Sequence, residues 1–208
     1  MLLCYSIVTN KCNFKKLQKG EGVVKLKKLV ELNVGQNVSR MKDQEDLASM
    51  MYTNSDLLND LHENQAIMPV SSKIQRSEKH SIVAGDVLYS FISSTAGIAS
   101  QASEGKRFNQ NFARLTITSE ELDPKYLCYV LNESSKVTKQ MAILMQGSVV
   151  PKMTPAILRE LNIQFPTLKK QSLIGDSYFN LNRQHYLAKL ELALQKKVHL
   201  ELLKKLDQ

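Results

Sequence analysis

QGSVVPKMTPAILRELNIQFPTLKKQ, residues 146–171, divides the chain into two unlike parts. It holds three of the five prolines, Pro151, Pro155 and Pro166, together with Gly147. Within it, Leu161-Asn162-Ile163-Gln164-Phe165 alternates apolar and polar residues as a half-buried strand does. Pro166 has no N–H for a ladder, so the strand should stop there. Leu168 to Gln171 then opens a helical pattern. Before the stretch, strand signals, turns and short helical patterns alternate; after it, residues 168–207 carry no proline and a single glycine, Gly175. The stretch reads as the end of a globular body and the start of an arm.

A hydrophobic content of 43% over 208 residues supports one domain with a real core plus an extension. Nowhere do 18 consecutive apolar residues occur, so no membrane span is expected. The apolar start, Met1 to Val8, lacks a basic n-region and a small-residue cleavage site, which argues against a signal peptide. Cys4, Cys12 and Cys128 are odd in number and widely spaced, the pattern of reduced thiols in a cytoplasmic protein. No metal site is expected, because Cys4 and Cys12 lack a second pair or a nearby histidine.

The net charge of +8 is unevenly spread. Residues 1–30 carry +6, residues 31–166 carry −2 and residues 167–208 carry +4. Total charge is thus a weak argument for nucleic acid, and contact with it must come from local clusters or from the lysine-rich N-terminal segment. One cluster is PVSSKIQRSEKHS, residues 69–81, where Lys73, Arg76, Lys79 and His80 stand out from an otherwise slightly acidic body. It reads as a candidate backbone-contact loop, or as a solvated one. Lys106 and Arg107 form a second pair, since cations bind phosphates and arginine also pairs with guanine.

Along the chain, Val23 to Leu32 alternates at first and then spaces leucines like a helical turn. Asp43 to Met51 suggests a short helix. Thr53, Asn54 and Ser55 offer an N-cap to a helix over Asp56–His62. Gly85-Asp86 marks a turn before a buried strand, Val87 to Ile92. Ser93 to Ser100 reads as a small-residue loop, and its Ser93 and Ser94 join the DNA-contact candidates. Asn111 to Ile117 is a strand with period-two features at Ala113, Leu115 and Ile117. Asp123 before Pro124 is a strong helix start. A further helix over Ser135–Met145 should turn Ala142, Leu144 and Met145 inward and Lys136 and Lys139 to water.

In the tail, Leu187, Leu190, Leu194, Val198 and Leu202 fall within an arc of about 120° at roughly 100° per residue, one apolar stripe. A helix of roughly 40 residues reaches about 60 Å, longer than a compact body of this size. A stripe that long wants a partner helix.

Taken together, Gly85-Asp86-Val87-Leu88, Asn109-Gln110-Asn111, Leu122-Asp123-Pro124-Lys125-Tyr126 and Gly147 through Gln171 resemble, in order and spacing, the target recognition domain of specificity subunits of Type I restriction-modification systems. The resemblance covers about residues 23–175. It implies an α+β fold: a mixed, mainly antiparallel curved sheet with flanking short helices over residues 1–166, then a long coiled-coil helix over residues 167–208. It implies DNA recognition without catalysis or cofactor, in the cytoplasm. It also places Asn109 and Gln110 in the framework, although such amides can read adenine, because members with different targets share that motif.

A full specificity subunit is similar to two such halves in tandem. This chain carries one, without an internal repeat. The resemblance therefore implies a homodimer through Leu187, Leu190, Leu194, Val198 and Leu202, facing double-stranded DNA with two half-sites, with methyltransferase subunits and a motor-nuclease subunit as partners. A rival reading is a coiled-coil protein-interaction module, or a remnant, with no DNA binding of its own. An intact DNA-modifying enzyme is disfavoured: the chain has no G-x-x-x-x-G-K-[ST], no G-x-S-x-G, and neither an Asn/Asp-Pro-Pro-aromatic motif nor a glycine-containing cofactor motif.

Overall fold

The computed structural model describes residues 22–37, 50–62, 79–146 and 152–207. Its elements are β1 (Gly22–Lys25), a 3-10 turn (Leu26–Lys28), β2 (Val30–Val34), α1 (Asn54–His62), β3 (Val87–Ser90), β4 (Thr95–Ile98), a second 3-10 turn (Gln101–Ser103), β5 (Phe112–Ile117), α2 (Pro124–Glu133), α3 (Ser135–Met145), α4 (Pro155–Glu160), β6 (Asn162–Phe165) and α5 (Leu168–Leu206). The pairings between these named strands are antiparallel, which with the flanking helices makes an α+β fold.

Local chemistry sets most boundaries. Asp123 accepts from the Tyr126 amide at 2.9 Å with Pro124 at the first helical position, and Thr154 caps α4 ahead of Pro155 in the same way. Thr53 and Asp56 cap α1 reciprocally: the Asp56 amide donates to Thr53 Oγ1, and the Thr53 amide donates to the Asp56 carboxylate. Strand β6 runs from Asn162 to Phe165 with Ile163 and Phe165 buried, and stops before Pro166 as expected.

Four strands form a sheet in the order β2-β5-β3-β4, and β1 pairs with β6 in a separate ribbon. The sheet is covered on both faces. One face, with Leu32, Val87, Tyr89, Ala113 and Leu115, packs against Leu127 and Leu131 of α2 and the apolar side of the ribbon. The other carries Leu88 and Phe112 into a smaller core with Tyr52, Leu57, Ile82, Ala99 and Phe108. Four successive residues of β5, Phe112 to Leu115, are therefore all buried, and the strand's burial shows no alternation.

Two expectations are corrected. Ser93–Ser100 is not all loop, because Thr95–Ile98 pairs with β3 as an edge strand. The Asn132 side chain accepts from the Ala96 amide at 2.7 Å and donates to its carbonyl at 2.8 Å, which satisfies that edge. Small side chains also suit the close passage of α1, since a Cβ on Gly97 would lie 2.7 Å from Leu57. In α3, Val137 and Met141 are the buried residues, Ala142 and Leu144 face outward, and Met145 packs at the margin of the core. Positions 137, 141 and 145 share one helical face, which 142 does not. Lys136 and Lys139 are exposed. Of the Asp43–Met51 helix, residues 43–49 lie outside the described residues.

Candidate nucleic-acid interface

Three short segments lie side by side over the smaller core. Ile82 donates to the Lys106 carbonyl at 2.8 Å, Gly105 donates to the Ile82 carbonyl at 2.9 Å, and Phe108 donates to the His80 carbonyl at 3.2 Å. On the other side Arg107 donates to the Met50 carbonyl, and Tyr52 to the Arg107 carbonyl, both at 2.8 Å. Residues 80–82, 105–108 and 50–52 thus make an irregular layer on the sheet. Phe108 and Ile82 point into the core, which leaves Arg107 and His80 partly exposed. The end of β2 crosses this layer closely. A Cβ on Gly35 would lie 2.2 Å from the Asn109 carbonyl oxygen, so the crossing admits no side chain.

The layer gathers positive charge. The His80 ring stands edge-on to Phe108, with centroids 5.8 Å apart. Burial, then the charges of Lys79, Arg114 and Arg107, lower its proton affinity below the ordinary value of 6.5. Arg107 donates from Nη2 to Gln36 Oε1 at 3.2 Å. Lys106 turns the other way and pairs with Asp56 at 2.7 Å. Burial by itself would raise the Asp56 carboxyl, but hydrogen bonds from Lys106 and Thr53 outweigh it and hold the group low.

The structure therefore brings Lys79, His80 and Arg107 to one surface and commits the Lys106 ammonium to an ion pair. Ser93 and Ser94 sit elsewhere, on the exposed turn between β3 and β4, where Ser94 has a φ of 52°. Lys73 and Arg76 lie outside the described residues. Asn109 serves the framework: its Oδ1 accepts from the Asn111 amide at 2.9 Å and closes the turn into β5.

Sequence reasoning missed two buried polar groups. Arg114, 5% exposed, spreads its guanidinium under the Lys79–Ser81 turn. Asp60, 2% exposed, accepts from Tyr52 Oη, the Ser100 amide and Ser103 Oγ at 2.7 to 3.1 Å. Isolated charges inside apolar patterns were their only signal. Burial and the Asp60 carboxylate raise the Tyr52 hydroxyl far above its ordinary range. Burial likewise raises the Cys128 thiol and keeps it protonated.

A second surface belongs to α5. Its first turns are built into the body. Gln171 is fully buried, donates to the Glu121 and Pro166 carbonyls at 2.9 and 2.8 Å, and accepts from the Asp123 amide at 3.0 Å. Gly175 abuts α2, Phe179 is buried, and Tyr178 Oη accepts from Asn132. Farther on, Arg183 donates to the His62 carbonyl at 3.2 Å, and the His62 and Tyr186 rings stack at 4.7 Å. Beyond Tyr186 every described residue is exposed. The apolar stripe stands in solvent there, from 43% exposure at Leu190 to 57% at Val198.

Among the described residues, no three His, Cys, Asp or Glu side chains gather as a metal site needs. No helix among them is long and apolar enough to cross a membrane.

The family described as Type I restriction modification DNA specificity domain matches residues 10–193. Among solved structures, a chain from work on complex assembly and conformational transition of the type I R-M system is similar at 17% identity and a TM-score of 0.53, covering 88% of this chain and 43% of that one. The HsdS subunit from Thermoanaerobacter tengcongensis is similar at 19% identity and 0.47, covering 81% and 39%. The S subunit of a Type-I restriction-modification system from M. genitalium gives 12% and 0.47, covering 93% and 47%. The chain thus spans less than half the length of each of these structures. No curated protein matches it.

Proposed function

The chain belongs to the Type I restriction modification DNA specificity domain family, and from that premise we propose that it is the DNA-recognition element of such a system, without catalysis of its own. The observation that carries the reading is the family match over residues 10–193. Division into a recognition body, residues 1–166, and an arm, residues 167–208, is part of the proposal, with the arm's free length starting after Tyr186. Lys79, His80 and Arg107 contact the DNA backbone, joined by Lys73 and Arg76 of the same basic run and by Ser93 and Ser94. Lys106 acts by holding Asp56 and the start of α1 in place.

The exposed stripe at Leu187, Leu190, Leu194, Val198 and Leu202 supports a twofold dimer through α5. Two such copies would supply the two half-sites of a gapped palindrome. Methyltransferase subunits, and a motor-nuclease subunit through them, dock on the resulting assembly.

The −2 charge of residues 31–166 and the neutralised Lys106 favour a second reading, a coiled-coil interaction module that does not bind DNA. Two measurements separate the readings. By light scattering the full chain should weigh about twice 23.6 kDa, and both Leu194→Glu and a chain ending at Tyr186 should be monomeric. A monomeric full chain removes the dimer. In the same buffers the dimer should bind duplex DNA with an affinity that falls steeply with salt; a dimer without such binding leaves the interaction module.

A further inference from the structure

Building on the DNA-recognition reading, we infer that Arg114 is the positioning residue of the interface: it sets the basic Lys79–Ser81 turn from beneath, and does not touch DNA itself. Arg114 lies in β5, the strand between β2 and β3, opposite Asn33 on one side and Leu88 on the other. Its Nη1 donates to the Ser81 carbonyl at 3.0 Å and its Nη2 to the Lys79 carbonyl at 3.2 Å. The intervening His80 carbonyl points the other way and accepts from the Phe108 amide at 3.2 Å. All three successive carbonyls of the turn are thereby held, so the backbone that aims Lys79 and His80 is set before any ligand arrives.

The surroundings keep the guanidinium in place. Its carbon lies 5.5 Å from the centroid of Phe108, the ring that also receives the edge of His80. The Asp86 carboxylate stands 3.9 Å from Nη1 and accepts from the Val83 amide, just past the turn. A planar fork with several donors can serve two carbonyls two residues apart; a single ammonium cannot do so with the same geometry. The Arg114 side chain thus ties the sheet to the basic turn, beside the backbone bond from Phe108 to His80.

Arg114→Lys tests this, because it keeps the charge and removes the fork. The probe is a short random-sequence duplex titrated at several salt concentrations with the full chain. Arg114→Lys should bind about three- to tenfold more weakly, with a salt slope lower by about one, as Lys79→Ala should. The double variant should be no weaker than the weaker single one, because a lysine already mis-aimed has nothing further to lose. An Arg114→Lys variant with unchanged affinity and slope overturns the inference, and so do additive losses in the double variant. Should Arg114→Lys not fold, amide exchange in the wild-type chain decides. Protection of the Ile82 and Val83 amides, which donate to the Lys106 carbonyl and the Asp86 carboxylate, comparable to that of β5 is expected, and exchange at the rate of an unstructured peptide overturns the pre-set turn. A wild-type chain that shows no salt-dependent binding is a different failure, that of the DNA reading itself.

Discussion

Replacing Gly175 by alanine sets two effects of opposite sign against each other. On an isolated helix the change is favourable by about 1 kcal/mol, because alanine loses less backbone freedom. In this fold a Cβ at position 175 would lie 2.7 Å from the Tyr126 amide nitrogen and from Lys125 Cβ, and 2.9 Å from the Lys125 carbonyl carbon. Two of these are backbone atoms of α2, which cannot rotate aside. To reach an ordinary contact of 3.4 Å, α5 must withdraw by roughly 0.7 Å. A gap of that size forfeits about a quarter of the dispersion energy at each contact across it. Phe179 and Tyr178 follow within a turn, and a buried side chain of that size holds about 6 kcal/mol of such contacts, so roughly 2–3 kcal/mol is lost. After the propensity gain, the net loss is about 1–2 kcal/mol, or a fall of about 2–8 °C in melting temperature for a chain of this length. A thermal melt of the full-length variant, followed by circular dichroism, reads it. A variant as stable as the wild type, or more stable, would refute the close α2–α5 contact.

Two further perturbations probe the same junction. Gln171→Ala leaves the Asp123 amide and the Glu121 and Pro166 carbonyls without their buried partner. It should lower stability by about 2–4 kcal/mol in urea titration with an unchanged m-value; a loss under about 1 kcal/mol would mean that water replaces the amide freely. Acidification should loosen the arm at His62, where burial, then Lys189 and Arg183, lower the proton affinity below the ordinary 6.5. Above that value folded and unfolded chains are both neutral there. As pH falls through it the unfolded chain takes the proton first, so stability falls until the lowered folded value is passed and then levels off. His80 contributes in the same direction, for burial and for the charges of Lys79, Arg114 and Arg107. Melting temperature against pH should therefore slope less in His62→Phe, which keeps a ring on Tyr186; an identical slope would remove His62 from the account.

Proline and capping chemistry made much of the fold legible. Asp123-Pro124 and the stop at Pro166 act within a few residues of themselves, and their boundaries appear where the chain announces them. The Thr95–Ile98 strand was illegible for the converse reason. Thr-Ala-Gly-Ile carries little strand preference of its own, and its pairing with β3 and the clamp from Asn132, 36 residues away, make it one. The candidate site divides along the same line. Lys79, His80 and Arg107 stood out as basic residues in a near-neutral body. That Lys106 is spent on Asp56, 50 residues away, could not be read from position.

By itself the sequence determined most of the elements before the arm, the break at residues 146–171 and the long arm with its apolar stripe, because these depend on propensities and periodicities summed over neighbours. Tertiary structure alone decided which charges face outward together. Arg114 lies in the middle of an apolar strand, and its meaning arises only when the Lys79–Ser81 backbone, more than 30 residues earlier, is laid across it. A buried guanidinium must find acceptors for its donors, and the fold, not the local sequence, supplies them.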